Sequence, residues 1–569
     1  MKNGHSLKSK PLQVLAALLA AFPVLALGQV TPGAGSMLQQ VKPVRPSSAA
    51  PASAPASLTI NPRNDAAMSS SESFPVKTLL IQGNTLFDAE TLHALVAQAE
   101  GKTMPLNQLE AEVGRIAAYY NSQGYPLVRA VVPAQTVRDG IVRVQVIEGR
   151  YGNVSLNNSS KVKDELLQPV LAPLEPGKVI GQAELDHALL LLSDVPGVKV
   201  NGVLKPGQAL GATDLVVETV QSGPAVSGNV VLDNSGNRYT GQARIAGTVF
   251  VVNPLQHGDV LSVSALSSGD KMNYGRLAYD VLVDGRGTHL GGALSALHYT
   301  LGEPLEALKA NGSAQVASLW AKHPLVRSRD LNLYGKVQLD RLQLRDRIGI
   351  DVSASRTDRH LDNVTASLEG DLRDNFLSGA FTSWNLGATT GRVGFDDDNA
   401  QLIDAQSART SGRYAKWNAN LARLQGLSMK DSLYLGVAGQ WSDSNLDASQ
   451  KISVGGPYVV RAYEVSAVSG DNGYTATVEL RHDLEASGDN RWQAIAFIDS
   501  AHVQINQNVW AGVTGANSVT LSGAGLGLNW AGAQQWSGKL HIATPIGARP
   551  ALLSGSASTR ATVEIGRGF

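Results

Sequence analysis

About 340 residues at the carboxy-terminal end of this sequence predict a membrane β-barrel, and the residues before them predict an exported, soluble part. Three observations predict this fold class. Apolar and charged residues alternate over long segments, and the chain opens with an export signal. No later segment reaches the run of about eighteen apolar residues that a membrane-spanning helix needs. The sequence therefore predicts an outer-membrane protein with a periplasmic part in front.

The export signal occupies residues 1–28. Three lysines within the first ten residues precede an apolar stretch from Leu12 to Leu27. Ala26 and Gly28 supply the small residues that signal peptidase needs, so we predict cleavage after Gly28. The apolar stretch is too short for a stable transmembrane helix, and we expect export without a helical anchor.

Composition narrows the classes of function. The chain has 569 residues, enough for several domains, and its 48 basic and 48 acidic residues give a formal net charge of zero. This balance offers no argument for nucleic acid, and we predict no nucleic-acid partner. The absence of cysteine avoids disulfide chemistry in the oxidising periplasm, but it is only weakly diagnostic.

Residues 29–73 predict a linker rich in Pro, Ala and Ser, a composition that cannot bury a core. Near its start, the segment from Gly33 to Val41 is compatible with a short helix that has Met37, Leu38 and Val41 on one side. A linker without any helix is the alternative, and the pattern does not decide between them.

Residues 74–149 and 150–222 predict two copies of one small α+β unit with the order β-α-α-β-β. In the first copy, a helix is predicted from about Asn107 to Ser122, before a strand from Ile141 to Ile147. The apolar face of that helix consists of Leu109, Val113, Ile116, Ala117 and Tyr120. In the second copy, helices are predicted over residues 161–171 and 182–193. Two copies in tandem indicate a repeat and not one larger domain.

Residues 223–569 predict the barrel. From Leu331 to Leu339 every second residue is apolar or glycine, and the residues between are mostly polar or charged. Such alternation over about ten residues suits strands with lipid on one face and water on the other. A soluble β-sandwich also alternates, but charges on an inward face would disrupt its core. At roughly 20 residues per strand and connection, the segment gives about sixteen antiparallel strands.

The final segment, Thr559 to Phe569, also alternates, with Arg567 interrupting its apolar face near the end. An interfacial position tolerates that charge. A terminal aromatic residue is typical of proteins delivered to the barrel-assembly machinery. We therefore predict Phe569 as a carboxy-terminal assembly signal and that machinery as a partner during biogenesis.

Two further segments carry motifs: VGGPYVVRAYEVSAVSGDNGY from Val454 to Tyr474, and AFIDSAHV from Ala496 to Val503. With the two repeats and the barrel, they resemble the outer-membrane transporters of two-partner secretion, the TpsB family. This family is similar to the haemolysin and filamentous haemagglutinin secretion transporters and belongs to a superfamily that includes barrel-insertion proteins. The resemblance covers nearly all of the mature chain.

The resemblance implies that the repeats are POTRA domains and that a long loop enters the lumen with a Val-Arg-Gly-Tyr motif. Here that motif is Val460, Arg461, Ala462 and Tyr463. Alanine replaces the glycine, which removes easy access to positive φ or to very close backbone approach. The resemblance further implies that the short helix near Gly33 is a plug that occupies the resting pore.

The family's inner-wall motif, Phe/Gly-x-Asp-x-Gly, corresponds to Phe497 and Asp499, and its glycine is replaced by Ala501. Phe497 and Asp499 are two residues apart and share one face of a strand, taken to be the lumen face. A guanidinium can make a bidentate contact with a carboxylate, so we hypothesise that Arg461 pairs with Asp499 and holds the loop. The alternative is that each is one of many lumen charges without a special partner.

Other chemistry finds no support. The eleven histidines are scattered, without a metal-binding motif. The glycine-rich run 523–527 lies in an alternating strand and is no nucleotide fingerprint, and no nucleophile elbow or Walker loop occurs. The run Asp396 to Asp398 is interpreted as a solvated extracellular loop and not as a cation site. We predict no catalytic residue, no cofactor and no metal.

The resemblance implies a porin-like secretion pore in the outer-membrane lipid. A large secreted exoprotein would dock unfolded on the POTRA domains and pass through the barrel. The alternatives are an outer-membrane barrel-assembly protein and an outer-membrane hydrolase barrel. The first generally has more POTRA units, and the second needs a catalytic set that the sequence lacks. The identity of the exoprotein does not follow from the sequence.

Overall fold

The computed structural model describes residues 32–41, 57–60, 72–350, 353–548, 550, 552–553 and 558–569. The predicted signal peptide and most of the predicted linker lie outside the described residues. Within the described part of the chain, no helix combines the length and the apolar character needed to cross a membrane.

The amino-terminal part of the described chain alternates short strands and helices. Its elements are α1 (Ala34–Val41), β1 (Ser57–Ile60), β2 (Ser73–Val76), β3 (Thr78–Gln82), α2 (Ala89–Val96), β4 (Lys102–Pro105), α3 (Leu106–Ser122), β5 (Val128–Val131), β6 (Ile141–Glu148), β7 (Arg150–Ser159), α4 (Asp164–Leu167), α5 (Gln182–Ser193), β8 (Val198–Pro206) and β9 (Ala212–Gln221).

The carboxy-terminal part consists mainly of longer strands. They are β10 (Val226–Asp233), β11 (Arg244–Val252), β12 (Val260–Ser267), β13 (Met272–Leu282), β14 (His289–Thr300), β15 (Asn311–Arg327), β16 (Leu331–Ile350), β17 (Ser353–Asp374), β18 (Ala380–Phe395), β19 (Gly412–Gly426), β20 (Asp431–Ser442), β21 (Ile452–Val454), β22 (Val468–Gly470), β23 (Asn472–Asp483), β24 (Arg491–Gln504), β25 (Ser518–Ala531), β26 (Trp536–Pro545) and β27 (Arg560–Gly568), with the helix α6 (Asp398–Ala405) after β18.

Two α+β units precede the barrel, and both follow the predicted order. The first unit has the sheet order β3-β6-β5, and the second has β8-β9-β7 with β1 added next to β8. The first helix of the second unit was predicted over residues 161–171. The structure has one turn of α4 followed by a 3₁₀ turn from Gln168 to Leu171. Pro169 explains the difference, because it lacks the amide hydrogen that an α-helix needs.

Glu148 joins the two units. Its buried carboxylate accepts hydrogen bonds from the amides of Thr85 and Leu86, at 2.7 and 3.0 Å, and from the Tyr120 hydroxyl at 3.0 Å. Arg150, the first residue of β7, donates to it at 2.9 Å. Burial alone would raise the pKa of this carboxyl, but the hydrogen bonds hold the pKa below its usual value. An ionised Glu148 therefore stabilises the junction.

Two arginine forks connect the second unit to the barrel. At the end of β15, Arg327 donates to both carboxylate oxygens of Asp194 at 2.6 and 2.7 Å. Arg329, in the following turn, donates to Asp186 of α5 at 2.8 and 2.6 Å. Bidentate pairs of this kind constrain orientation as well as distance, so the second unit is fixed over one mouth of the barrel.

Sixteen antiparallel strands close the barrel, as predicted: β10 to β20 followed by β23 to β27. Five residue pairs between β10 and β27 complete the ring. The carboxy-terminal Phe569 exchanges two backbone hydrogen bonds of 3.0 Å with Gly228 at this seam. Large apolar side chains such as Val337, Leu339 and Val478 lie exposed on the outer face, where lipid would cover them.

The alternation reverses along β16. Up to Leu339 the outer positions are apolar, but Arg341 and Gln343 then take the outer positions, while Leu342 and Leu344 are buried on the lumen side. Charged side chains are costly in lipid, so the strand leaves the apolar band near this point. The lumen beyond it has an apolar wall.

Candidate functional site

A long connection between β20 and β23, residues 443–471, folds back into the barrel. Its two short strands, β21 and β22, pair as a hairpin. Gly455 and Gly456, at the start of the tip, both have a φ of 101°, which glycine adopts without steric cost. The tip then carries Arg461 to the inner wall formed by β23 and β24.

Arg461 binds Asp499 through a bidentate contact. Its Nε donates to Oδ2 at 2.9 Å, and its Nη2 donates to Oδ1 at 2.9 Å. The backbone amide of Arg461 also donates to Oδ2 at 3.1 Å. Asp499 is fully buried and Arg461 is 6% exposed. The structure thus brings together the arginine of the loop motif and the acid of the wall motif.

A second carboxylate completes the arrangement. The Nη1 of Arg461 donates to Glu479 of β23 at 2.6 Å, and the other oxygen of Glu479 accepts from Arg481 at 2.7 Å. Thr477 donates to Asp499 at 3.0 Å. Two cations and two anions therefore share one buried cluster with no net charge. Such balance is what makes buried ions tolerable, because an unpaired charge at this depth is strongly destabilising.

The ring of Phe497 packs against one face of the Arg461 guanidinium. The guanidinium carbon of Arg461 lies 3.3 Å from the centroid of the Phe497 ring. A desolvated cation over an aromatic face adds to the attraction from the carboxylates. The three residues that contact the guanidinium, Asp499, Glu479 and Phe497, all belong to the inner-wall strands β23 and β24, so the barrel itself builds the site that holds the loop.

The alanine of the loop motif is accommodated by a glycine of the wall. Ala462 does not have a positive φ, so this position does not need glycine for conformational reasons. It does need close approach: a Cβ atom at Gly523 of β25 would lie 2.5 Å from the Cβ of Ala462. A Cβ at Gly525 would lie 2.5 Å from the Phe497 ring. The glycines of β25 therefore provide the space that a glycine in the loop motif would otherwise provide.

Substitution of Gly523 by valine is expected to displace the loop. The added side chain would overlap Ala462, and overpacking of a tight contact costs about 1–3 kcal/mol. We expect higher protease sensitivity at the loop and a larger single-channel conductance in a planar lipid bilayer. Gly275 of β13 is a matched control, because no heavy atom lies within 4 Å of a Cβ built there. Equal effects of Gly523→Val and Gly275→Val would contradict this role.

Further contacts tie the loop to the barrel seam. The Tyr458 hydroxyl donates to Glu564 of β27 at 2.6 Å. Glu464 lies 3.4 Å from both Arg238 and Arg560, which lie after β10 and at the start of β27. The loop therefore contacts both sides of the closure between the first and last strands. Val460 and Tyr463, the outer residues of the loop motif, pack in adjoining apolar clusters.

The helix α1 lies in the lumen, beyond the reversal in β16. Ala34, Met37, Leu38 and Val41 are buried against the apolar wall that includes Leu342 and Leu344. The amide of Ala34 donates to Asp346 Oδ1 at 2.7 Å, an anion at the positive end of the helix. The side predicted to be apolar is the side that the wall covers.

Arg359 links this helix to the loop. It donates to Asp346 at 2.7 Å and also to Asp447 in the first part of the loop. Gln39 of α1 donates to the Ser449 carbonyl, and a Cβ at Gly35 would lie 2.6 Å from the Ser449 amide nitrogen. The helix and the base of the loop therefore share one set of contacts.

The remaining predicted residues lie elsewhere. Phe569 lies at the barrel seam, directly after the end of β27 that is farther from Arg560. Asp397 caps α6 by accepting a hydrogen bond from the Ala400 amide at 2.9 Å. Within the described residues, no group of three or more His, Cys, Asp or Glu is arranged to hold a metal ion. Glu479, Gly523 and Asp346 were not predicted as site residues. In the sequence, Glu479 was marked only by its place on the charged face of an alternating segment. Gly523 was marked only by the glycine-rich run that it begins.

A sixteen-stranded barrel with α+β units at one mouth and a tethered loop and helix in its lumen defines a transporter of the POTRA-plus-barrel class. The chain belongs to the haemolysin secretion/activation protein family ShlB/FhaC/HecB, whose model matches residues 211–530. The model of the ShlB-type POTRA domain matches residues 74–149. The protein is therefore a two-partner secretion transporter of the outer membrane.

Relatives support this assignment over most of the chain. The heme/hemopexin transporter protein HuxB of Haemophilus influenzae is 25% identical over 480 residues, which cover 83% of this chain and 84% of that protein. The outer membrane transporter CdiB of Escherichia coli is 23% identical over 443 residues, 76% of this chain and 73% of CdiB.

Solved structures agree in fold. The structure of CdiB from Escherichia coli covers 91% of this chain and 94% of its own, with a TM-score of 0.70 and 21% identity. CdiB from Acinetobacter baumannii covers 98% and 97%, with a TM-score of 0.60 and 18% identity.

Proposed function

We propose that this transporter exports one large partner protein and that Arg461 is the main contact that positions the loop in its lumen. The observation that carries the proposal is the occupied lumen. A loop and a helix fill the lumen and are held by side-chain contacts. Because side-chain contacts hold the loop and the helix, both can leave the lumen without unfolding of the barrel.

The units at 74–149 and 150–222 are proposed as two POTRA domains that recognise the partner in the periplasm. A sheet edge can accept an extended segment as an additional strand, with backbone hydrogen bonds that tolerate many sequences. An unfolded partner offers such segments. Because the chain has no nucleotide-binding motif, folding of the partner outside the cell is proposed as the driving force. We infer no catalytic activity.

Phe569 is proposed to be the signal that the barrel-assembly machinery recognises. Its backbone closes the seam with Gly228, so the last residue of the chain is also part of the final strand pairing. The exposed apolar band of the barrel is proposed to contact outer-membrane lipid directly.

Deletion of this protein is expected to abolish surface delivery of one exoprotein, encoded by a neighbouring gene with long β-helical repeats. The measurement is an immunoblot of that exoprotein in the medium and in the periplasm. Levels of unrelated outer-membrane barrels serve as the control. A general loss of those barrels would instead favour the alternative function in barrel assembly, and unchanged secretion would refute the export function.

A further inference from the structure

A groove on the outer face of the barrel spans the strands β10 to β15. Its volume is about 680 Å³, and ligand sites typically occupy roughly 300–1,000 Å³. Its floor is a row of small residues that lie opposite one another on neighbouring strands: Gly247, Ala265, Gly275 and Ala296. In the next row of the same face, the large apolar side chains of Val263, Leu277 and Leu294 are exposed. The lipid-facing wall is therefore concave here.

One edge of this groove is polar. Its outward-facing residues follow one another across neighbouring strands through registered pairs: Ser267, Asn273, His298 and Ser313. In the register between β15 and β16, Ser313 lies opposite Arg345. Arg345 is exposed, and it has no ion pair with any residue that the structure describes. A groove with an apolar floor and one polar edge suits an amphiphile whose polar group lies at that edge.

Arginines dominate the outer face beyond the polar edge, where β16 and β18 end and β17 and β19 begin. The outward-facing arginines of these strand ends are Arg341, Arg345, Arg347, Arg356, Arg392 and Arg413. The outward-facing carboxylates of the same strand ends are Asp358 and Asp362. Asp358 is shared, because its Oδ2 accepts from Arg356 Nε at 2.8 Å and from Arg347 Nη2 at 3.1 Å. This part of the outer face therefore carries an excess of positive charge.

The groove edge and the arginines lie toward the extracellular mouth of the barrel. The strand β16 begins beside the arginine forks that bind the second α+β unit, so its later residues, which include Arg345, approach the opposite mouth. The turn between β11 and β12 also contacts the second unit, because Gln256 accepts from the Lys163 amide at 3.1 Å. Ser267, at the far end of β12, therefore lies at the opposite mouth as well. Since the α+β units are periplasmic, that mouth faces the outside of the cell.

We propose that this surface binds one molecule of lipopolysaccharide from the outer leaflet, with acyl chains in the groove and phosphates on Arg345 and the neighbouring arginines. Hydrocarbon would cover the apolar floor in any case, but an anionic head group is what complements the arginines. Arginine binds phosphate through bidentate, charge-assisted hydrogen bonds. The bound lipid would bridge the strands β11 to β16. This inference depends on the barrel and its orientation, and not on the export function.

Binding can be measured by native mass spectrometry of the purified full chain in nonionic detergent, with purified lipopolysaccharide as the probe. The variant Gly275→Phe fills the groove without a clash, because no heavy atom lies within 4 Å of a Cβ built at Gly275. The variant Arg345→Glu replaces an unpaired cation by an anion. Each substitution is expected to weaken binding by about tenfold or more, the effect of losing one charge-assisted contact or the equivalent apolar contact.

Two matched controls separate the site from general effects of the substitutions. Gly335→Phe adds the same ring to the outer face of β16 near its periplasmic end, where the nearest heavy atom to a new Cβ is at 3.5 Å. Arg143→Glu makes the same charge change at an exposed arginine of β6, in the first α+β unit. Both controls should bind lipopolysaccharide as the wild type does. Heat-dependent migration of the barrel in SDS gels verifies that every variant is folded.

Two further probes test which part of the lipid is recognised. Enzymatically dephosphorylated lipopolysaccharide and phosphatidylglycerol should each bind the wild type about tenfold more weakly, since the first lacks the phosphates and the second has a single phosphate. Equal binding of phosphatidylglycerol would overturn the assignment to lipopolysaccharide. Absence of binding to the wild type, or equal binding by Gly275→Phe, Arg345→Glu and their controls, would overturn the site itself.

Discussion

Replacement of Arg461 by alanine is expected to remove most export of the partner while the barrel remains in the membrane. The substitution leaves Asp499 and Glu479 buried without their shared cation. Removal of one partner from a buried ion pair costs about 3–5 kcal/mol, which changes the ratio of docked to released loop by more than about a hundredfold. The measurement is the amount of exoprotein in the medium, normalised to the barrel content of the membrane.

Arg481 provides a matched control for this prediction. It carries the same charge and contacts the same Glu479, but from β23 of the wall and not from the loop. Arg481→Ala should therefore reduce export much less than Arg461→Ala. Arg461→Lys should give an intermediate value, since lysine keeps the charge but cannot form the fork. Similar losses in all three variants would show that lumen charge, and not the loop contact, is what matters.

Coupling between Arg461 and Asp499 can be measured separately. The double variant R461A/D499A should lose little more export than R461A alone, because the contact is already absent in the single variant. Additive losses would contradict the pairing. The cycle is more informative than a charge reversal, since an acid at position 461 would lie beside Glu479.

Introduction of a side chain at Gly35 is expected to expel α1 and open the channel. The Cβ of any other residue would lie 2.6 Å from the amide nitrogen and 3.2 Å from the Cα of Ser449, both backbone atoms. Backbone cannot yield as a flexible side chain does, so Gly35→Val should shift the helix out of its site. We expect the fraction of time that the channel is open to rise several-fold, as measured in single-channel recordings of the purified full chain.

Two further variants define the cause of opening. Asp346→Asn removes the anion that accepts the Ala34 amide and should open the channel partly, by weakening the interaction with the helix dipole by about 1 kcal/mol. Gln40→Ala serves as the control, because the hydrogen bond of its side-chain amide is to Met37 of the same helix. Opening by Gln40→Ala to the same extent as by Gly35→Val would show that general disturbance of α1 is sufficient.

Much of the fold follows from periodicity. Alternation with a period of two predicted the barrel strands and their outward faces, and the length of the segment predicted sixteen strands. Helical spacing predicted one buried side of α3, formed by Leu109, Val113, Ile116, Ala117 and Tyr120; all of these are buried except Ala117, which is half-buried. These patterns are local, because each depends on residues a few positions apart. The limits of α4 were less predictable, since a single proline changes the last turn.

Fewer details of the site were predictable. Arg461 and Asp499 were singled out by family motifs, and the bidentate pair followed from their chemistry. The structure added Glu479, because Glu479 lies opposite Phe497 in the register between β23 and β24. It also showed that the close approach between loop and wall depends on a glycine of the wall, Gly523, and not on a glycine at position 462 of the loop.

By itself, the sequence determined the class of the protein: its export, its tandem α+β units, its barrel and the presence of an inward loop motif. Repetition and alternation are properties of the chain itself, so they can be recognised before folding. Only the tertiary structure decided which wall residues meet the loop, where α1 sits and that residues 57–60 cover β8. Those contacts join residues dozens to hundreds of positions apart, and their partners are set by strand register and barrel closure.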